Sequence, residues 1–191
     1  MRYPFDKFGL GTRYGEQGES WKCGWHSGLD MVSVAAGGDG LVYPLYAGVV
    51  YKVGHSGSYG NCVYVRHADG YMTLYAHLRD VYVKVGMEVN EKTVLGAEGA
   101  TGNASGRHLH IEVHRGNYSY PASIDPLEFI KERLEITKKI KIRLNGIEKT
   151  VTAIEKDGNN YVKLQDLRDD KISVGYDATR KLPVVEVIEQ R

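Results

Sequence analysis

Glycine falls very unevenly along this 191-residue chain: residues 1–137 hold 20 of the 23, with no three-residue period, and residues 138–191 hold three. Glycine without such a period marks tight turns, because the missing Cβ opens backbone conformations closed to other residues. Between the glycines the chain alternates or runs apolar over short lengths. The stretch 41–53 is rich in Val, Tyr and Leu, and GHSGSYGN follows it. Residues 62–67, 72–77, 81–85 and 107–114 resume as period-two segments, with a turn at Asp69-Gly70. This predicts five or more short strands in an antiparallel β-sheet or sandwich. A helix is expected near 126–135, where Asp125 can cap and Pro126 can open LEFIKERLE. Beyond it, Ile140, Ile142 and Leu144 alternate with Lys141 and Arg143, Asn145-Gly146 is a hairpin turn, and 165–168 reads as a helical turn. The expected class is therefore mainly β, in two domains: 1–135, ending in the short helix, and 136–191, small and β-rich.

Charge and composition narrow the function. The chain has 25 Lys+Arg against 24 Asp+Glu, so its net charge of +1 gives no bulk argument for nucleic acid as a partner. Residues 1–137 are net −2 and residues 138–191 net +3. Apolar runs such as 45–50 are far shorter than the roughly 20 residues of a membrane span. MRYPFDKFGLG carries no apolar core after its early charge, so no secretory signal is expected. Cys23 and Cys62 are expected to be reduced. Tyrosine outnumbers phenylalanine 14 to 3, a surplus to which no role attaches from sequence.

All seven histidines lie at or before position 114, so chemistry that needs imidazole belongs to the first domain. Gly24-Trp25-His26-Ser27-Gly28-Leu29-Asp30 sets a histidine and an aspartate four apart around a glycine. His108-Leu109-His110 sets two histidines two apart in a strand, hence on one face, which Glu112 and His114 continue. Such a face suits zinc, although a lone His-X-His on a strand is more often a solvated surface.

Three blocks in order carry a resemblance: GWHSGLDM, YVRHADGYMTLYAHL and GATGNASGRHLHIEV. Over roughly residues 20–130 the chain resembles the lysostaphin-type (LytM-like) zinc endopeptidases of bacterial peptidoglycan. The resemblance implies His26, Asp30 and His110 as zinc ligands and His77 and His108 as catalytic histidines, with base and acid unassigned between them. Glu112 stands where the family has a strand glutamate that can hold a ligand imidazole. Asn103 and Arg107 are expected on the cleft rim as substrate contacts. His114 is expected to be solvated, His67 structural, and Cys23 outside the ligand set. Some members carry a tyrosine before the first ligand. Here Ser20-Trp21-Lys22 fills that region, and Tyr75, two residues before His77, is the expected substitute on the same strand face.

The implied partner is peptidoglycan and the implied cofactor Zn²⁺, with no nucleic acid and no membrane span. The implied role is a phage or prophage endolysin, made in the cytoplasm and acting on the wall. The competing expectations are a non-catalytic wall-binding module and a virion-associated tail lysin. The last 54 residues resemble the small β-modules called copper-amine-oxidase N-terminal-like domains, through IRLNG, DGNNYVKLQDL and ISVGYD…KLPVV. They are expected to bind the wall or to mediate self-association, and their lack of His and Cys implies no copper.

Overall fold

The computed structural model describes residues 1–34, 40–120, 122–134, 138–144, 147–156, 159–162, 167, 172–177 and 182–187. Two compact units divide the chain, Met1–Arg133 and Leu134–Arg191. In the first, ten strands run in order: β1 (Phe8–Leu10), β2 (Leu29–Ser33), β3 (Leu41–Val42), β4 (Gly48–Ser56), β5 (Gly60–Arg66), β6 (Tyr71–Leu78), β7 (Asp80–Val81), β8 (Glu88–Val89), β9 (Gly96–Ala97) and β10 (Leu109–Arg115). Seven form one antiparallel sheet in the order β1-β2-β10-β6-β5-β4-β8, and β3-β9-β7 form a second, three-stranded one.

The alternation in β10 decides which face carries chemistry. Leu109, Ile111 and Val113 are fully buried and join Leu29, Met31, Val63, Val65 and Tyr75 in the main core. Each such side chain contributes about 1.5–3 kcal/mol by leaving water. His110, Glu112 and His114 face the other way. Beneath that face, on β5 and β6, a second cluster packs Cys62, Tyr64, Met72, Leu74 and Ala76. Helix α1 (Pro126–Leu134) buries Leu127, Phe129 and Ile130. Asp125 Oδ1 accepts the Leu127 and Glu128 amides at 2.8 and 3.3 Å, satisfying two of the donors a helix start leaves orphaned.

The second unit holds β11 (Lys138–Leu144), β12 (Ile147–Lys156), β13 (Asn159–Val162), β14 (Ile172–Asp177) and β15 (Leu182–Val187). The first three form one antiparallel sheet and the last two a hairpin. Asn145-Gly146 and nearly all of 165–168 lie outside the described residues. The expected strand at 81–85 is shorter: only Asp80 and Val81 are strand, because their partner β9 is two residues long. Both cysteines are free. Among the described residues no helix is long and apolar enough to cross a membrane.

Candidate metal centre

The site is built on β10 and its two neighbours. Strand register sets His110 opposite Asp30 of β2 on one side and opposite Ala76 of β6 on the other. Directly opposed residues share a face at side-chain contact distance, so Asp30 and His110 meet by register alone. His26 arrives from the turn before β2. That turn must pass close under His110: a Cβ on Gly28 would strike the Ile111 carbonyl and lie 2.6 Å from the His110 ring.

Three donor atoms converge. Asp30 Oδ1 lies 3.0 Å from His110 Nδ1 and 3.1 Å from His26 Nε2, and the two ring nitrogens are 2.9 Å apart. Ligand atoms on a tetrahedral ion with bonds of about 2.0–2.1 Å stand about 3.3 Å apart, so this triangle is close to a zinc ligand face. Among the described residues it is the one group with metal-ligand chemistry.

Outer hydrogen bonds aim the lone pairs. His26 Nδ1 faces the Arg13 carbonyl at 3.1 Å; a carbonyl only accepts, so Nδ1 carries the hydrogen and Nε2 the lone pair. His110 Nε2 donates to Glu112 Oε1 at 3.1 Å, which leaves Nδ1 for a cation. Glu112 is wholly buried and accepts three further bonds: Ser27 Oγ at 2.6 Å, Tyr59 hydroxyl at 2.8 Å and His114 Nε2 at 2.8 Å. Such partners fix the tautomer and orientation of a ligating imidazole.

The charges ask for a cation. Burial opposes ionisation of Asp30 and Glu112, but the hydrogen bond from His110 to the first, and those from His110 and His114 to the second, hold both well below the carboxylate range. Burial likewise opposes a charge on His110, and the two carboxylates override it, raising the imidazole to about 9. A proton there offsets one of the two carboxylate charges, and a divalent ion in its place would offset both. The donor set, its spacing and its charge all fit zinc.

His77 and His108 stand beside this triangle, their rings 4.7 Å apart, with His77 5.8 Å from the His110 ring. Each donates Nδ1–H to a carbonyl, His77 to Thr101 at 2.8 Å and His108 to Gly106 at 2.9 Å, so each offers Nε2 as an acceptor. Burial keeps His77 neutral, lowering it to about 4. Among the described residues His77 is the one non-glycine with positive φ, 61°. This left-handed conformation costs about 1–2 kcal/mol, and strain of this kind gathers at functional sites.

All five of these residues line a cavity of about 560 Å³. Asn103 also lines it, as do Ser20, Trp21 and Lys22, whose segment replaces the family tyrosine. Two expected substrate contacts, Tyr75 and Arg107, do not line it. Tyr75 is fully buried in the main core, opposite Ile111, with its hydroxyl accepting the Leu45 amide at 2.9 Å. It shares no face with His77, because the positive φ of His77 breaks the alternation that the i, i+2 rule assumes. Arg107 is not among the cavity-lining residues and pairs with the buried Glu98 at 3.4 Å. His114 is not solvated but 1% exposed behind Glu112. Cys23 Sγ lies against the Trp25 carbonyl at 3.0 Å, apart from the ligand triangle. Sequence reasoning missed Tyr59, Tyr118 and Tyr120, which wall the cavity. The tyrosine surplus was their signal: phenylalanine cannot supply the Tyr59 bond to Glu112, or the one Tyr120 accepts from the Cys23 amide at 3.0 Å.

An antiparallel sheet here converges His, Asp and His on one point, with two aimed histidines beside them, an arrangement that fits a metal-dependent hydrolase. The chain belongs to peptidase family M23, whose model matches residues 24–125. It is 35% identical over 104 residues to the peptidoglycan DD-endopeptidase ShyC of Vibrio cholerae, a match over 52% of this chain and 23% of that protein. The chain thus spans less than a quarter of that relative's length. The crystallised catalytic domain of the antimicrobial peptidase lysostaphin from Staphylococcus simulans superposes with a TM-score of 0.60 at 28% identity, over 65% of this chain and 92% of that one. A zinc-containing peptidase from Vibrio cholerae superposes with a TM-score of 0.54 at 28% identity, over 64% of this chain and 37% of that one.

Proposed function

We propose that this chain is a zinc-dependent endopeptidase that hydrolyses peptide bonds in peptidoglycan stem peptides or cross-bridges. The observation that carries the reading is the convergence of His26 Nε2, Asp30 Oδ1 and His110 Nδ1, with two histidines alongside whose Nδ1–H groups are held by carbonyls. Zinc would supply Lewis acidity to a peptide carbonyl and acidify a water. The protein does the rest. His77 and His108 present Nε2 lone pairs, so one can take a proton from the attacking water while the other, once protonated, donates to the leaving amine. The cavity wall of Ser56, Ser58, Asn103 and Ser105 offers hydrogen bonds to an extended peptide, and Trp21, Tyr118 and Tyr120 give it an apolar flank. Peptidoglycan as the substrate is supported by the named activity of the Vibrio cholerae relative. In the same proposal the protein acts at the wall as a phage or prophage lysis enzyme.

The test is release of new amine termini from isolated peptidoglycan, with mass spectrometry of the fragments naming the bond. A chelator should abolish release and added zinc should restore it. His110→Ala should be inactive, and His77→Ala should lose about 10²–10⁴ in rate. Full cleavage by metal-stripped protein would overturn the mechanism.

A further inference from the structure

The two non-coordinating histidines are oriented by one loop. Residues 99–108 connect β9 of the three-stranded sheet to β10 of the seven-stranded one. The Thr101 carbonyl of this loop takes the His77 Nδ1–H at 2.8 Å, and its Gly106 carbonyl takes the His108 Nδ1–H at 2.9 Å. Backbone carbonyls orient a ring only if the backbone itself is held, so what holds this loop sets both imidazoles.

Its middle is held by close approach to the β4–β5 turn. The Asn103 amide donates to the Ser58 carbonyl at 3.0 Å. Thr101 Oγ1 accepts the Asn61 amide at 3.0 Å and donates to the Leu78 carbonyl at 2.8 Å. Gly60 and Gly102, both at positive φ, pass so near one another that a Cβ on either would strike backbone.

Its two ends are held differently. The His108 amide donates to the Gly99 carbonyl at 2.9 Å, an isolated bridge. Beside that bridge, Arg107 Nε stands 3.4 Å from Glu98 Oε2. The Glu98 side chain is wholly buried, and it also accepts the Ser33 amide at 3.1 Å and the Ser33 hydroxyl at 2.6 Å. A buried carboxylate attracts a cation, and because Arg107 is half-exposed the pair is partly screened, so its loss costs orientation more than stability. Among the described residues Arg107 is the cation paired with it, on the residue directly before His108. Glu98 in turn is anchored to the end of β2, the strand that carries Asp30.

Resting on the peptidase reading above, we propose that Glu98 and Arg107 are positioning residues: their ion pair locks the ends of the 99–108 loop and thereby the orientation of His77 and His108. Glu98 is wholly buried and Arg107 does not line the cavity. Both act through the backbone that receives the two Nδ1–H groups.

The test uses the full chain with Arg107→Ala, Arg107→Lys and Glu98→Gln. Arg107 is half-exposed, so its alanine variant removes the pair without opening a core void. On a soluble cross-linked muropeptide, Arg107→Ala should lower kcat about ten- to a hundredfold while KM stays within about twofold, with zinc content and melting temperature near wild type. Arg107→Lys, which keeps the charge, should recover part of the loss. In the metal-free protein, ¹⁵N ring correlations should show His77 and His108 as single Nδ1–H tautomers in the wild type and tautomer-averaged in Arg107→Ala. Wild-type kcat and unchanged ring signals in Arg107→Ala would overturn the proposal even if Glu98→Gln fails to fold. Should the wild-type chain cleave no muropeptide, the peptidase reading fails, and the ring signals still decide whether the pair orients the histidines.

Discussion

At the scale of single residues, Glu112 is the hinge between what touches the metal position and what lies behind it. Its Oε1 takes bonds from His110, Ser27 and Tyr59, and its Oε2 takes one from His114. Four donors face one carboxylate, so an amide there must set an N–H against another N–H whichever way it is turned. Glu112→Gln should therefore fold but bind zinc about 10–100-fold more weakly, measured by competition with a chromogenic chelator. Unchanged affinity would show that His110 is oriented by the ring's packing alone. At this scale His26, Asp30 and His110 were legible in the sequence only through the resemblance carried by three ordered blocks, since a His-X-His strand alone suits a solvated face as well. The role of Tyr75 was not. Period two assigned it to the face of His77, and one left-handed residue cancelled that assignment.

At the scale of elements, α1 and β10 were readable because local chemistry specifies them: Asp125 caps before Pro126, and the apolar residues of β10 alternate without a break. The turns joining β4, β5 and β6 were marked too, by GHSGSYGN and Asp69-Gly70, but the side chains that pin them were not, because their partners are set by the fold. His67 follows β5 and donates or accepts on both ring nitrogens, to the Ala47 carbonyl at 2.9 Å and Thr73 Oγ1 at 2.9 Å. Thr73 Oγ1 continues to the Tyr75 hydroxyl at 3.1 Å, and Tyr46 stacks on the imidazole with ring centroids 3.8 Å apart. Burial lowers the His67 pKa in the folded chain. Between that value and about 6.5 the unfolded chain binds a proton that the folded chain refuses. The contribution to stability is therefore complete above about pH 6.5 and is lost as pH falls toward the folded value. Melting temperatures taken from roughly pH 8 down to pH 5 should fall less steeply in His67→Gln than in the wild type. His77 has the same sign and His110 the opposite one, so the difference between the two curves isolates His67. Parallel curves would mean that the buried imidazole protonates as readily folded as unfolded.

At the scale of the whole molecule, all seven histidines and the whole described cavity lie within Met1–Arg133, while the second unit, Leu134–Arg191, contributes no imidazole. The two parts also differ in charge, with residues 138–191 at net +3 and the remainder at net −2. The surplus of glycine follows the same division, since turns between short strands and the close passes at Gly28 and Gly60–Gly102 all belong to the part that builds the site. If the second unit serves association with an anionic wall, its contribution is electrostatic at long range and screened by salt, since the Debye length shrinks from about 10 Å at 0.1 M to about 3 Å at 1 M. Residues 1–137 alone retain the buried core, the capped helix and every residue placed at the metal centre. They should cleave soluble muropeptides with kcat/KM close to that of the full chain. On intact sacculi the full chain should co-sediment more strongly at low salt, and that advantage should vanish as salt approaches 1 M. Equal, salt-independent sedimentation of the two proteins would assign wall affinity to the catalytic unit and leave the basic segment without a part in it.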